Sequence, residues 1–130
     1  MPHIIIEYSG NLRERVNLPA LIDRVHEVAL DTGVFPLGGL RTRAAECVHY
    51  RIADGHPDNT FIHVIMRIGH GRDAATKHRA AQIVFDSVCD FLRPTFERIP
   101  LGISLEVVEI DPNLNFKMNN LHDYVKARAA

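Results

Sequence analysis

His3-Ile4-Ile5-Ile6-Glu7-Tyr8 is the stretch from which the fold can be read. Three consecutive β-branched side chains suit a pleated strand, and Ser9-Gly10-Asn11 breaks the run after only a few residues. A short apolar run with such a boundary reads as a buried strand. The next segment has helical periodicity. Asn17 is placed to cap a helix, and Pro19 falls in the first turn, where its missing N–H costs nothing. Leu18, Leu21, Ile22, Val25, Val28 and Ala29 then recur at spacings of three and four, giving one apolar face. Gly33 stops the helix. After Phe35-Pro36-Leu37-Gly38-Gly39 a second strand is expected from Leu40 or Arg41 to about Ile52.

The loop Asp54-Gly55-His56-Pro57-Asp58 divides the chain, and the same order then returns. Phe61 to Ile68 reads as a third strand and Gly69-His70-Gly71 as its break. Asp73 is the cap of a second helix, whose stripe includes Ala80, Ala81, Val84, Phe85, Val88, Phe91 and Leu92. Pro94 is expected to kink or end that helix. Ile103 to Ile110 alternates as a fourth strand, and a short helix from Asn120 to about Ala127 ends the chain. Two strand–helix–strand units of similar size imply one α/β (α+β) domain over residues 1–130. Its pseudo-repeats span roughly 2–53 and 60–110, and 111–130 forms a tail. Crossovers of this length join parallel strands and are right-handed. The expected architecture is a four-stranded mixed sheet with two helices on one face, and other subunits covering the opposite face.

The bulk properties narrow the function classes. With 130 residues, 46% hydrophobic and 24% charged, the chain is an ordinary globular domain. A formal net charge of −1 without long blocks of one sign gives no footprint for nucleic acid. No run approaches the roughly 20 apolar residues of a membrane span, and no basic flank precedes a long apolar amino-terminal run. Cys47 and Cys89 lie among apolar residues without CxxC spacing, as free thiols in a reducing compartment do. A cytoplasmic protein is expected.

Pro2 carries the most distinctive chemistry. Removal of Met1 would expose a secondary amine, a group found nowhere else in the chain. Burial and neighbouring cations both disfavour its protonated form, which tunes it toward the base needed beside a carbonyl. A proline at this place is commonly just a frayed terminus, but here a strand begins directly behind it. Arg41, at the start of the second strand, and Arg72, ahead of the second helix, are the arginines at element ends. Their planar guanidinium groups bind carboxylates bidentately. Solvated surface arginines are the ordinary alternative for both.

Other chemistries find less support. Of eight histidines, His49, His56, His63 and His70 recur every seven residues, yet they fall on a strand, a loop, a strand and a turn. No HExxH, Cys/His pair or GxSxG is present. Gly69-His70-Gly71-Arg72 lacks the longer glycine pattern and lysine of a phosphate loop and reads as a short turn. In the tail, Phe116 and Met118 are apolar in a solvated stretch; they either pack on their own domain or reach a neighbouring subunit. From the residues, an enzyme using a free Pro2 and a non-catalytic trimeric ligand-binding module both stay open.

The chain is, in addition, similar to the 5-carboxymethyl-2-hydroxymuconate isomerase family of the tautomerase superfamily. The resemblance rests on Met1-Pro2-His3, on residues 33–43 (GVFPLGGLRTR), on Ile68-Gly69-His70-Gly71-Arg72 and on residues 114–120 (LNFKMNN). It implies a homotrimer with the sheets lining its interior. It also implies isomerisation of a carboxymethyl-bearing 2-hydroxymuconate to its 2-oxo-3-ene isomer in homoprotocatechuate (4-hydroxyphenylacetate) catabolism. By the same resemblance Pro2, Arg41 and Arg72 are the catalytic candidates, and Arg41, Arg72 and Phe116 the substrate-binding ones, with no metal and no cofactor. A tautomerase for another enol dicarboxylate or a phenylpyruvate-like enol is the alternative within the superfamily. Smaller tautomerases hold the far carboxylate with an arginine near the start of the first helix. Here Arg13 precedes that helix, and no residue matches cleanly.

Overall fold

The computed structural model describes residues 1–129. Four strands, β1 (His3–Ser9), β2 (Arg41–Cys47), β3 (Thr60–Gly69) and β4 (Leu101–Ile110), form one mixed sheet in the order β2-β1-β3-β4. β1 and β2 are parallel, as are β3 and β4, and the two pairs meet antiparallel through β1 and β3. Helix α1 (Leu18–Asp31) crosses from β1 to β2, and α2 (Ala74–Phe96) from β3 to β4. A third helix, α3 (Leu121–Ala129), comes after the tail.

Strand alternation divides the sheet into two faces. Ile4, Ile6 and Tyr8 of β1 and Ile62, Val64, Met66 and Ile68 of β3 are buried on the helix side. Leu21, Val25 and Ala29 of α1 and Ala80, Val84, Val88 and Leu92 of α2 complete this core. Fully burying one such aliphatic side chain contributes about 1.5–3 kcal/mol. Truncating Ile6 or Ile62 to alanine would therefore cost ~2–5 kcal/mol. Ser9, fully buried, joins the halves: its Oγ accepts from Phe61 N at 3.0 Å.

The helix termini obey local chemistry. Asn17 Oδ1 accepts from Ala20 N and caps α1, while Asp73 Oδ1 accepts from Thr76 N and caps α2. Gly33 takes φ +74° directly after α1, where a side chain would be strained.

Three expectations need correction. β2 ends at Cys47 rather than near Ile52, so His49 lies in a bend and not on a strand. As an edge strand β2 has β1 as its sole partner, and β1 leaves the sheet after the Ser9–Cys47 pair to form a 3₁₀ turn over Gly10–Leu12. Pro94, expected to kink or end α2, lies inside it, and the helix ends two residues later at Phe96. Pro94 and Asp90 are both exposed, so water can reach the Asp90 carbonyl that loses its helical partner. The last helix begins at Leu121 and reaches Ala129, later than its expected span.

Candidate active site

The topology gathers four chain segments at one end of the sheet. β1 and β2 begin there, and β3 and β4, running the other way, finish there. Pro2 and Arg41 therefore meet the Gly69–Asp73 turn and the tail that leaves β4. Pro2 is buried, and its carbonyl accepts from Arg41 N at 3.0 Å, so this terminus is tied to the sheet.

A cavity of about 390 Å³ opens beside it, lined by Met1, Pro2, Pro36, Gly39, Lys117, Asn119 and His122. Two glycines let its walls approach. A Cβ on Gly38 would lie 2.6 Å from His122 Nδ1 and 2.9 Å from its Cα, and one on Gly39 would lie 3.4 Å from Pro2 Cδ. The first contact involves backbone and cannot be relieved by rotating a side chain. Gly38 thus permits the start of α3 to close over the 36–39 turn.

The two arginines flank this cavity without lining it in the single subunit. Arg41 Nη1 donates to Gly39 O at 2.7 Å. Arg72 donates through Nη2 to Val34 O at 3.1 Å and through Nη1 to Gly69 O at 3.3 Å. Its guanidinium carbon stands 5.3 Å from the centroid of the buried Phe35 ring, a cation–π contact that fixes its plane. His70 Nδ1 lies 3.2 Å from Glu109 Oε2, Lys77 Nζ engages the other oxygen, Oε1, and these contacts join the turn to the end of β4.

The electrostatics converge on the amino terminus. The α-amino group, carried here by Met1, is held below its ordinary value, first by burial and then by the charges of Lys117, Arg41 and Arg72. His3 is lowered likewise by burial, then by Arg43 and Arg41, and its Nδ1 lies 3.0 Å from Arg43 Nη1. All these influences favour neutral, proton-accepting nitrogen at this end of the sheet. It is an arrangement that can bind a polyanion and move a proton.

The structure brings Pro2, Arg41 and Arg72 together, but places Phe116 elsewhere within the subunit. Phe116 is 87% exposed and does not line the cavity. The tail passes the cavity without regular secondary structure, and its alternate residues Lys117 and Asn119 line the wall. Leu114, Phe116 and Met118 are exposed and do not pack on their own domain. Sequence reasoning missed Lys117, Asn119 and His122 as site residues. The signal available was this alternation, which sets polar Lys117 and Asn119 opposite apolar Phe116 and Met118. Arg13 pairs with Glu46 at 3.0 Å, near the far end of β2, and is no part of the site.

The fold, a double βαβ sheet with Pro2 at the head of its first strand, is tautomerase-like. The 5-carboxymethyl-2-hydroxymuconate isomerase family model matches residues 2–125. The chain is 36% identical to the Escherichia coli 5-carboxymethyl-2-hydroxymuconate Delta-isomerase over 97% of its length and 100% of the relative's. A 5-carboxymethyl-2-hydroxymuconate isomerase structure from Deinococcus radiodurans R1 superposes with a TM-score of 0.88 at 32% identity, over 95% of this chain and 93% of that one. A 5-carboxymethyl-2-hydroxymuconate delta-isomerase crystal structure gives 0.89 at 28% identity, covering 96% and 93%. The chain belongs to the 5-carboxymethyl-2-hydroxymuconate isomerase family and is an isomerase.

Proposed function

We propose that the protein converts 5-carboxymethyl-2-hydroxymuconate to its 2-oxo-3-ene isomer, with the Pro2 amine, freed by loss of Met1, as the proton carrier. The observation that carries this reading is the buried Pro2, tied to the sheet through its carbonyl, at a terminus whose amine, with Met1 in place, is depressed by burial and by three nearby cations. The amine accepts the 2-hydroxyl proton and returns a proton to C5. The O–H bond breaks and the C5–H bond forms. The 2,3 and 4,5 double bonds become a C2 carbonyl and a 3,4 double bond, and nothing is oxidised or reduced. Arg41 and Arg72 bind carboxylate and stabilise the dienolate that develops between the two proton transfers. The conjugated substrate spreads its own charge, so this route needs no cofactor or metal.

The reading extends to the assembly and the cell. On the sheet face opposite the helices, Ile5 pairs with Ile65, and Phe61 and Val108 share that face with Glu7, Arg43, Arg67 and Glu106. This face and the apolar tail residues are what a homotrimer would cover, and Phe116 would meet substrate only across such a boundary. No helix among the described residues is long and apolar enough to cross a membrane. A cytoplasmic enzyme of homoprotocatechuate breakdown fits this reading.

Intact mass and ultraviolet assay together test it. Protein from its own host should lack Met1, and Pro2→Ala should lower kcat by about 10²–10⁴-fold, the usual weight of a positioned acid–base group. Retained Met1 in fully active protein, or full activity in Pro2→Ala, would remove the amine from the mechanism.

A further inference from the structure

The substrate just assigned carries three carboxylates: one at each end of the muconate chain and one on the carboxymethyl arm at C5. Arg41 and Arg72 account for two of them at most. Each also commits N–H donors to backbone carbonyls, Arg41 to Gly39 and Arg72 to Val34 and Gly69. Arg13, the arginine that precedes the first helix, is paired with Glu46 away from the site. That leaves one carboxylate without an arginine, and the cavity lining contains one further cation.

Lys117 lines the cavity together with Pro2, and Asn119 and His122 stand beside it as neutral or proton-donating partners. No carboxylate pairs with Lys117 among the described residues. Its position does not come from a floppy tail. The close approach of His122 to Gly38 docks the start of α3, and Asn119 Oδ1 accepts from Leu121 N at 2.9 Å, so the strap carrying Lys117 is anchored where it enters the helix.

We propose that Lys117 is the substrate-binding cation for the carboxymethyl carboxylate, and so the residue by which the enzyme selects its substrate over unsubstituted 2-hydroxymuconate. The inference rests on the isomerase reading above. The reaction's own chemistry supplies the orientation. Pro2 serves both the 2-hydroxyl and C5, and C5 bears the carboxymethyl arm, so a flexible cation lining the same cavity as Pro2 can reach that pendant arm while the proton is delivered. Arg41 and Arg72 are left for the carboxylates of the muconate chain. A lysine suits this place because its flexible stem carries a point charge to a pendant arm, where a planar fork would demand a fixed carboxylate plane. With Met1 in place the same charge depresses the terminal amine, and it lines the cavity beside Pro2, which gives Lys117 a second readout.

The test is steady-state kinetics on the full chain freed of Met1, comparing wild type, Lys117→Met and Lys117→Arg. The two substrates are 5-carboxymethyl-2-hydroxymuconate and 2-hydroxymuconate. Lys117→Met should raise KM for the first about 10- to 100-fold, the value of a lost charged hydrogen bond, and leave KM for the second nearly unchanged. Lys117→Arg should restore most of the affinity. The acid limb of kcat/KM should move to higher pH in Lys117→Met with both substrates, because a cation favouring the neutral amine is gone. An unchanged KM, or equal losses on both substrates, would overturn the assignment while leaving the isomerase reading intact. A wild-type enzyme inactive on both would overturn that reading, and this inference with it.

Discussion

The two ends of the sheet are built from the same strands, about 20 Å apart at ~3.3 Å per residue, and they differ in the charges gathered there. The end beyond β2 holds the larger cavity, about 510 Å³, lined by residues of the 48–59 loop including His49, Tyr50, Arg51 and His56. Several hydrogen bonds hold this loop together. Asn11 Nδ2 donates to Pro57 O at 3.2 Å and to Asn59 O at 2.8 Å, and Asn59 Nδ2 donates to Asp54 Oδ1 and Ile52 O. The Pro2 end has a smaller cavity, about 390 Å³, but three cations there act on one titratable amine. Volume does not distinguish the ends; the direction of the electrostatics does.

The corresponding strand starts make the same point. Arg41 N bonds to the carbonyl of Pro2 at the head of β1, and Thr60 N bonds to that of Pro100 at the head of β4. Thr60 Oγ1 donates to the same Pro100 carbonyl at 2.7 Å, a buried structural contact in mid-chain. The residue proposed as the base heads the first unit, and the second unit starts in mid-chain.

The comparison can be broken by variants at each end. The largest effect is expected from Arg41→Ala or Arg72→Ala, each lowering kcat by ~10²–10³-fold as charge stabilisation of the dienolate is lost. Stopped-flow or steady-state assays at saturating substrate read this directly. Next, Phe35→Leu keeps most of the apolar volume but removes the ring under Arg72, and should reduce kcat/KM about three- to tenfold. Since the neutral amine is the reactive form, kcat/KM should rise with pH through its titration. Arg41→Ala should move that limb to higher pH, because its positive charge no longer disfavours protonation. Smallest in activity is Asn11→Ala at the other end. It should cost about 1–2 kcal/mol in denaturant unfolding by stranding two carbonyls, yet leave kcat and KM as they were. A large kinetic effect there would abolish the distinction between the ends.

Much of this protein was legible before any coordinates. The β-branched opening, Asn17 and Asp73 as caps, and the apolar stripes of α1 and α2 each arise from local periodicity and hydrogen bonding, and the strands and helices stand where those signals put them. The end of β2 was not legible, because strand length depends on how far the partner strand continues, and β1 turns away at Gly10. Nor was it legible that α2 would run two residues past Pro94, at a position where Pro94 and Asp90 are both exposed.

For the site, the sequence by itself determined the chemical types: a proline behind Met1, and arginines at the ends of elements. It also contained Lys117, inside a segment that carries the family resemblance, but gave the side chain no role, since a lysine in a polar tail has no local signature. Only the tertiary structure decided that Lys117, Asn119 and His122 stand on the same cavity wall as Pro2. The reason is the antiparallel meeting of two parallel pairs, which returns the ends of β3 and β4 to the start of β1. The field on an amine depends on distances through space, and those are set by strand order and direction rather than by position along the chain.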